Sequence, residues 1–146
     1  MRMANSKISN RLEMQISFAV YGAASRMARM HKPHLEPLGL TYPQYLVMLD
    51  LYDDTPRSVG DLGNSSGMDT GTITPLLKRL ERQGMVTRRR DPDDERRVIV
   101  DLTPQAEAIR EEVWAISDKI KSDCRMDEGS MMALRDTLHN FARPAA

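Results

Sequence analysis

The sequence predicts a mainly α-helical chain with one small β-hairpin. Apolar residues recur at three- and four-residue spacing through most of its 146 residues, which is typical of amphipathic helices. Two short extended-type runs, 85–89 and 98–102, flank a segment rich in Asp, Arg and Pro, which indicates a hairpin with a long charged tip. A chain of this length with 40% hydrophobic residues fits a single domain, residues 1–146.

Three helices are predicted in the first half of the chain. The first covers residues 12–30 and is interrupted at Pro33, because proline cannot donate a backbone hydrogen bond. A second helix begins at Thr41, an N-capping residue type, and continues to Tyr52. A short and weak third helix starts at Ser58, where several glycines and serines follow.

Three more helices are predicted in the second half. The strongest spans 69–83 and stops at Gly84, and Pro75 fits this helix only near its start. After the hairpin, one uninterrupted helix is expected over 103–124 and a last one over 127–141.

This order of elements is typical of a winged helix-turn-helix with flanking dimerisation helices. Residues 41–103 are expected to form the DNA-binding lobe, and the flanking helices fall in 10–35 and 104–143. Because these flanking helices carry more apolar surface than the small lobe can cover, we expect a two-fold homodimer, with contacts at Ile116 and Ile120.

The net charge is zero, which excludes the simplest argument for a nucleic-acid binder, but the charge is unevenly distributed. Residues 78–97 carry eight basic and five acidic side chains, whereas residues 101–136 carry five basic and nine acidic ones. One face can therefore meet a polyanion while the C-terminal part repels it.

The strongest helix and the hairpin supply the residue types that contact duplex DNA. Threonine and arginine can meet base edges, lysine can neutralise phosphate, and arginines on an extended tip suit a minor groove. The predicted DNA-binding residues are Thr70, Thr72, Thr74, Lys78, Arg79, Arg88, Arg90, Asp94 and Arg96. Taken separately, the two segments also fit a solvated helix face and a self-neutralising loop. A protein-interaction module with the same shape is a further alternative, which the salt dependence of binding would separate.

Residues 69–103, which read DTGTITPLLKRLERQGMVTRRRDPDDERRVIVDLT, resemble the recognition helix and wing of the MarR family of dimeric bacterial repressors. Residues 15–21 (QISFAVY) and 35–46 (LEPLGLTYPQYL) most resemble the organic-hydroperoxide sensors of the OhrR type within that family. The resemblance implies a homodimer that reads an inverted repeat in double-stranded DNA. It also implies helix residues in the major groove, and Asp94 with Arg96 as the arginine site of the wing.

The resemblance also implies an effector pocket, in which this chain departs from the family. OhrR-type sensors carry a peroxide-reactive cysteine before the phenylalanine of the first-helix motif, and this chain has Ser17 there. A serine hydroxyl has no oxidation chemistry comparable to that of a thiolate, so Ser17 cannot sense peroxide. Tyr21 and Tyr42 match tyrosines around the family's cysteine, whereas His31 replaces another. With Tyr45, these residues form the expected pocket for a small-molecule effector.

Three explanations fit the presence of Ser17 at the position of the reactive cysteine. The chain can be an engineered Cys-to-Ser version that mimics the reduced state, a natural relative that binds a small ligand, or a regulator that responds through Cys124. Some two-cysteine members keep a resolving thiol on the corresponding C-terminal helix, which makes Cys124 the redox candidate. As the only cysteine, it excludes an intrachain disulfide and a multi-cysteine metal site.

A second departure from the family concerns the short helix. The family has a larger apolar residue and an aromatic where this chain has Ser66 and Gly67, so we expect looser packing and faster hydrogen exchange in 58–67 than in 76–82.

Other classes of protein are disfavoured by the sequence. An enzyme with Ser17 as nucleophile and His31 as base would need two groups about 21 Å apart on one helix to meet. His31 and His34 have metal-ligand spacing, but Pro33 separates them and no further ligands accompany them. We therefore expect no enzyme, cofactor or metal. Residues 1–7 lack a signal-peptide core and no run is long enough to span a membrane, so a cytoplasmic protein without a membrane partner is expected.

Overall fold

The computed structural model describes residues 11–143, which contain seven α-helices and a three-stranded antiparallel sheet. Our predictions for residues 1–10 and 144–146, including the missing signal-peptide core and the start of the first flanking helix at residue 10, lie outside the described residues. The helices are α1 (Ile16–Leu35), α2 (Tyr42–Asp53), α3 (Val59–Ser66), α4 (Thr70–Arg82), α5 (Pro104–Ala108), α6 (Arg110–Cys124) and α7 (Glu128–Ala142). The strands are β1 (Arg57–Ser58), β2 (Val86–Arg90) and β3 (Val98–Leu102), and single 3₁₀ turns cover Leu12–Met14 and Glu36–Leu38. The predicted fold class, a winged helix-turn-helix with flanking helices, is confirmed.

Local capping explains where the helices of the central lobe begin and end. At the start of α2, the Gln44 backbone N–H donates to Thr41 Oγ1 (3.3 Å), and the Thr41 N–H donates to Gln44 Oε1 (2.9 Å). At the start of α4, Asp69 Oδ1 accepts the N–H of Thr72 at 2.8 Å. Gly84 follows α4 with a φ of 79°, a left-handed conformation that glycine adopts without strain. The predicted boundaries at Thr41, Asp69 and Gly84 are therefore correct.

The hairpin forms as predicted and gains an additional strand. Strand β2 pairs with β3 in a register that places Arg88 opposite Val100 and Arg90 opposite Val98. On the other side of β3, Arg57 of β1 also pairs with Val100, which gives the order β1-β3-β2. The short strand β1 was not predicted.

Three predictions about helix continuity are wrong. Pro33 does not interrupt the first helix, because it lies in the last turn of α1, where a missing N–H removes only one hydrogen bond. Pro75 lies in the second turn of α4 rather than near its start, and it forgoes the helical bond to the Gly71 carbonyl. The helix expected over 103–124 is divided at Ile109, whose backbone (φ −103°, ψ 6°) is not helical.

Helix α2 is fixed to α5 and α6 through Tyr52. Its hydroxyl donates to the Ala106 carbonyl at 2.6 Å, and burial raises the pKa of Tyr52 to about 12, so this donor keeps its proton. The Arg110 guanidinium lies 5.1 Å from the ring centre of Tyr52 and 5.3 Å from that of Trp114. Helix α2 and the two helices that follow the sheet are thus joined by a specific polar and aromatic contact.

The core of the described chain lies between α2, α4 and α6. Ile116 and Ile120 belong to this core, and Ile116 is only 1% exposed. The expectation that these two residues form the dimer contact is therefore wrong, because the chain itself covers them. The large apolar side chains that remain exposed lie mostly on and just before α1 and on α7: Leu12, Met14, Ile16, Phe18, Val20, Tyr21, Met132, Leu134, Leu138 and Phe141. Within residues 11–143, the helices are all too short or too polar to cross a membrane.

Candidate nucleic-acid interface and effector site

Helix α4 buries one side in the core and presents a polar side to solvent. Ile73, Leu77 and Leu80 are buried, which fixes the rotation of the helix. Five residues of this helix were predicted to bind DNA. Thr74 is half-buried, and the other four are exposed: Thr70, Thr72, Lys78 and Arg79. The hydroxyls cluster near the N-terminus, where the helix dipole favours an anion.

The wing is the hairpin formed by β2 and β3, and at its tip the guanidinium of Arg96 is exposed to solvent. The side chain of Arg96 is 91% exposed, and its Nε lies 3.2 Å from Asp94 Oδ1. The backbone N–H of Arg96 donates to the same oxygen at 3.1 Å. The side-chain hydrogen bond, followed by the backbone one, lowers the pKa of Asp94 below its ordinary value. Asp94 therefore stays ionised at neutral pH and orients Arg96 while leaving it accessible.

Two further arginines shape the wing. Arg90 Nη1 donates to the Glu95 carbonyl at 2.7 Å, which closes the hairpin turn. Arg97 lies 3.5 Å from the Asp91 carboxylate and 3.9 Å from that of Asp61 on α3. Arg97 was not among the predicted DNA-binding residues, although its position in the arginine-rich hairpin marked it as a member of the basic tip.

The wing and the helix pair α3–α4 enclose an open cleft of about 720 Å³. Thr70 and Thr74 line it from α4, Asn64 lines it from α3, and Arg96 and Arg97 line it from the wing. The fold thus places the helix hydroxyls and the wing arginines, more than twenty residues apart in sequence, on one concave surface. Asn64 is a lining residue that the sequence analysis missed.

Arg88 has a different environment from Arg96. Its backbone N–H donates to Glu81 Oε2 at 3.1 Å, and its Nε lies 3.4 Å from Glu81 Oε1. Only 21% of its side chain is exposed. Arg88 therefore ties the hairpin to α4, while it also lines the cleft.

Three of the five predicted effector residues form an aromatic cluster. The ring of His31 lies 4.7 Å from that of Tyr42 and 5.4 Å from that of Tyr45, between centroids. His31 Nδ1 donates to the Met27 carbonyl at 2.6 Å, and the Tyr45 hydroxyl lies 3.2 Å from Ser117 Oγ on α6. Burial, followed by the nearby Tyr45, raises the pKa of Tyr42. This cluster lies between α1, α2 and α6, at the border between the lobe and the flanking helices.

The other two predicted effector residues lie elsewhere in the same chain. Ser17 and Tyr21 are exposed and line a shallow apolar groove with Val20 and Phe141. Fourteen residues of helix separate Ser17 from His31, a distance of about 21 Å along the axis. A single chain therefore does not bring the five residues into one pocket.

Two residues at the C-terminal end of α6, Asp123 and Cys124, contact other parts of the chain. Cys124 is half-buried and lines an apolar groove with Met27, Met131 and Leu138. His34 Nε2 lies 3.8 Å from Asp123 Oδ2. Among residues 11–143, no three His, Cys, Asp or Glu side chains are grouped closely enough to hold a metal ion.

Comparison with known proteins agrees with this geometry. Residues 40–98 match the MarR family. The chain is 34% identical over 144 residues to an organic hydroperoxide resistance transcriptional regulator of Bacillus subtilis, covering 94% of this chain and 98% of that protein.

Two solved structures share the fold over nearly the whole chain. One is a probable transcriptional regulator from Pseudomonas aeruginosa (TM-score 0.80, 30% identity, 90% of this chain and 99% of that one). The other is reduced AbfR bound to DNA (TM-score 0.74, 31% identity, 97% of this chain and 99% of that one). The chain therefore belongs to the MarR family and is a transcriptional regulator with a winged helix-turn-helix fold.

Proposed function

We propose that the chain acts as a homodimeric repressor that binds an inverted repeat in double-stranded DNA. The observation that carries this proposal is the cleft in which the hydroxyls of α4 and the exposed Arg96 of the wing face the same side. Helix α4 would enter a major groove with Thr70, Thr72, Lys78 and Arg79, and Arg96 would reach the adjacent minor groove. The similar AbfR, solved with DNA, supports this assignment.

We propose that a second copy of the chain covers the exposed apolar surface of α1 and α7. Ile16 and Tyr21 on α1 and Phe141 on α7 lie largely in water in the single chain, and Phe141 is 68% exposed. An apolar surface of this extent is typical of an interface, and a two-fold axis pairs the same patch on both copies. In this arrangement residues 41–103 form the DNA-binding lobe, while α1 and the helices from residue 104 onward form the dimer.

The dimer also offers a way to complete the effector site. Helix α1 has 20 residues, which corresponds to about 30 Å, with Ser17 near its start and His31 near its end. A two-fold axis that crosses two antiparallel α1 helices places the start of one beside the end of the other. We therefore propose that Ser17 and Tyr21 face the partner's His31, and that a small molecule binds between them.

We propose that this effector is not a peroxide that reacts at residue 17. The hydroxyl of Ser17 cannot form a sulfenic acid. AbfR has been solved with a disulfide formed, whereas this chain has one cysteine and can form a disulfide only with a second molecule. The dimer can hold its two recognition helices at different distances from each other. A ligand in the proposed pocket can act only if it binds one of these conformations more tightly than another.

Fluorescence anisotropy with a duplex from the region upstream of its own gene tests the proposal. Affinity should fall steeply with salt, because phosphate contacts release counterions, and it should be insensitive to cumene hydroperoxide. The matched variant Ser17→Cys should acquire release by peroxide if the pocket is retained. Release of the unmodified chain by peroxide, abolished by Cys124→Ser, would instead make Cys124 the sensor. Absence of salt-sensitive binding to any duplex would contradict the repressor.

We further infer a cytoplasmic location and no catalytic activity. Both follow from the role of a transcriptional regulator, which must reach the chromosome and acts by occupying DNA. Turnover of a substrate that Ser17→Ala abolishes would contradict this inference.

A further inference from the structure

Gln83, the residue that caps the C-terminal end of α4, is bonded to three separate segments. Its Nε2 donates to the Gly39 carbonyl at 2.8 Å, and its Oε1 accepts from Gln44 Nε2 at 3.1 Å. Its backbone carbonyl accepts from Gln105 Nε2 at 3.3 Å. The end of the proposed recognition helix is therefore held by side-chain amides, in addition to the apolar contacts of its buried face.

Gln44 is the buried member of this group. Only 3% of it is exposed, and both ends of its amide are used. Its Oε1 accepts the Thr41 N–H at the start of α2, while its Nε2 donates to Gln83. If the amide were rotated by half a turn, its NH₂ group would face the Thr41 N–H and its oxygen would face Gln83 Oε1, so both hydrogen bonds would be lost. The direction of the Gln44 amide is therefore fixed, and the first turn of α2 is coupled to the end of α4.

The same first turn of α2 carries the aromatic cluster. Tyr42 is the first residue of α2, and its ring lies 4.7 Å from that of His31. A change at the cluster that moves this turn must move Thr41 and Gln44 with it, because one turn of helix is rigid at this scale. Gln83 is the next group along this path.

We propose that Gln44 and Gln83 are positioning residues that transmit displacement of the first turn of α2, imposed at the His31 cluster, to the recognition helix. This inference rests on the proposed DNA-binding function. Helix α4 has 13 residues, or about 20 Å, so a shift at its Gln83 end changes the direction in which Thr70 and Thr72 approach DNA.

A double-mutant cycle tests whether His31 and Gln83 are coupled in their effect on DNA affinity. His31 contacts Met27, Tyr42 and Tyr45, and Gln83 contacts residues 39, 44 and 105, so independent substitutions at His31 and Gln83 should have additive effects. The four proteins are the unmodified dimer, His31→Leu, Gln83→Met and the double variant. Each is titrated by anisotropy against one duplex that the unmodified dimer has selected from a random pool.

Gln83→Met removes the two hydrogen bonds that fix the end of α4. Only a fraction of the molecules then holds this helix in the binding orientation, so affinity should fall about tenfold. His31→Leu should change affinity about fivefold in the unmodified dimer but less than twofold in the Gln83→Met background. The matched control is Gln105→Met, which also loses an amide bond at this helix end but leaves the Gln44 contact in place. In that background the fivefold effect of His31→Leu should persist.

Thermal melting establishes that each variant is folded, and Tyr42→Leu replaces His31→Leu in the cycle if the buried histidine proves essential for folding. The proposal would be overturned if the substitution in the aromatic cluster changed DNA affinity by the same factor with Gln83 and with Gln83→Met. It would also be overturned if that substitution left the affinity of the unmodified dimer unchanged. If the unmodified dimer selects no duplex, the DNA-binding function itself fails and the inference fails with it.

Discussion

Replacing Arg96 by alanine should weaken DNA binding and leave the fold intact. The side chain is almost fully exposed, and its Nε donates to Asp94 Oδ1 at the tip of the wing. The second hydrogen bond to this oxygen comes from the backbone N–H of Arg96, which alanine keeps. Exposed ion pairs contribute little to stability, so the melting temperature should stay close to that of the unmodified chain. Any large loss of affinity then reports on the contact with DNA.

The salt dependence gives the size of the effect. Each phosphate neutralised contributes about 0.9 to the slope of log affinity against log salt, and a dimer carries two copies of Arg96. If each copy neutralises one phosphate, Arg96→Ala should lower the slope by about 1.8. The ratio of the unmodified to the variant affinity should then shrink about twelvefold between about 50 and 200 mM salt.

Anisotropy titrations at four salt concentrations measure this slope, and fluorescence of Trp114, the one tryptophan of the chain, monitors unfolding. Lys32→Ala is the matched control, because it also removes one exposed cation per chain, on α1 beside Glu36, and should leave the slope unchanged. An equal slope for the unmodified chain and Arg96→Ala would refute the proposed contact between the wing and DNA.

Three further results are expected. Phe141→Asp should yield a folded monomer in analytical ultracentrifugation because this side chain is exposed on α7, whereas Ile116→Asp should unfold the chain by placing a charge in its core; a stable dimer of either variant would contradict the assignment of these surfaces. Amide hydrogen exchange should be faster in residues 59–66 than in 76–82, since α3 buries only Leu62 among its described side chains; equal rates would show that α3 packs as firmly as α4. Arg88→Met should lower the free energy of unfolding by about 1 kcal/mol and leave the salt slope unchanged, because Arg88 faces Glu81; a reduced slope would instead place Arg88 on phosphate.

The helix boundaries that the sequence predicted correctly are those encoded by neighbouring residues. A capping box needs only residues three apart, as in Thr41 and Gln44, and a left-handed stop needs only a glycine such as Gly84. These signals are complete within one turn of chain. The short strand β1 has no such signal, because its two residues become extended through pairing with Val100 and Ile99, some forty positions away.

The misassigned dimer contact has a different cause. Spacing of three and four residues shows that a helix has an apolar face, and it does so equally for α6 and α7. It does not show whether the same chain or a second copy covers that face. In this fold Ile116 packs into the core of its own chain, whereas Phe141 remains in water. Only the tertiary arrangement separates these two outcomes.

The residues of the candidate DNA surface were predictable for a related reason, whereas only one of their ion-pair partners was. Exposed threonines and arginines in a helix and a hairpin define the surface by residue type alone. Which arginine points outward depends on the carboxylate that each one meets in the fold. Arg88 finds Glu81 on α4, whereas Arg96 finds Asp94 two residues away and stays accessible. Only a local partner of this kind can be inferred from spacing.

The zero net charge of the chain is compatible with DNA binding because the two signs lie on different parts of the fold. The basic excess is confined to residues 78–97, on α4 and the wing, and acidic side chains predominate from residue 101 onward. Glu111, Glu112 and Asp118 on α6 are exposed. Such a distribution repels a polyanion from α6 and attracts it to α4 and the wing, so it favours one orientation of encounter. A net charge of zero is therefore compatible with a local electrostatic attraction between DNA and the basic surface of α4 and the wing.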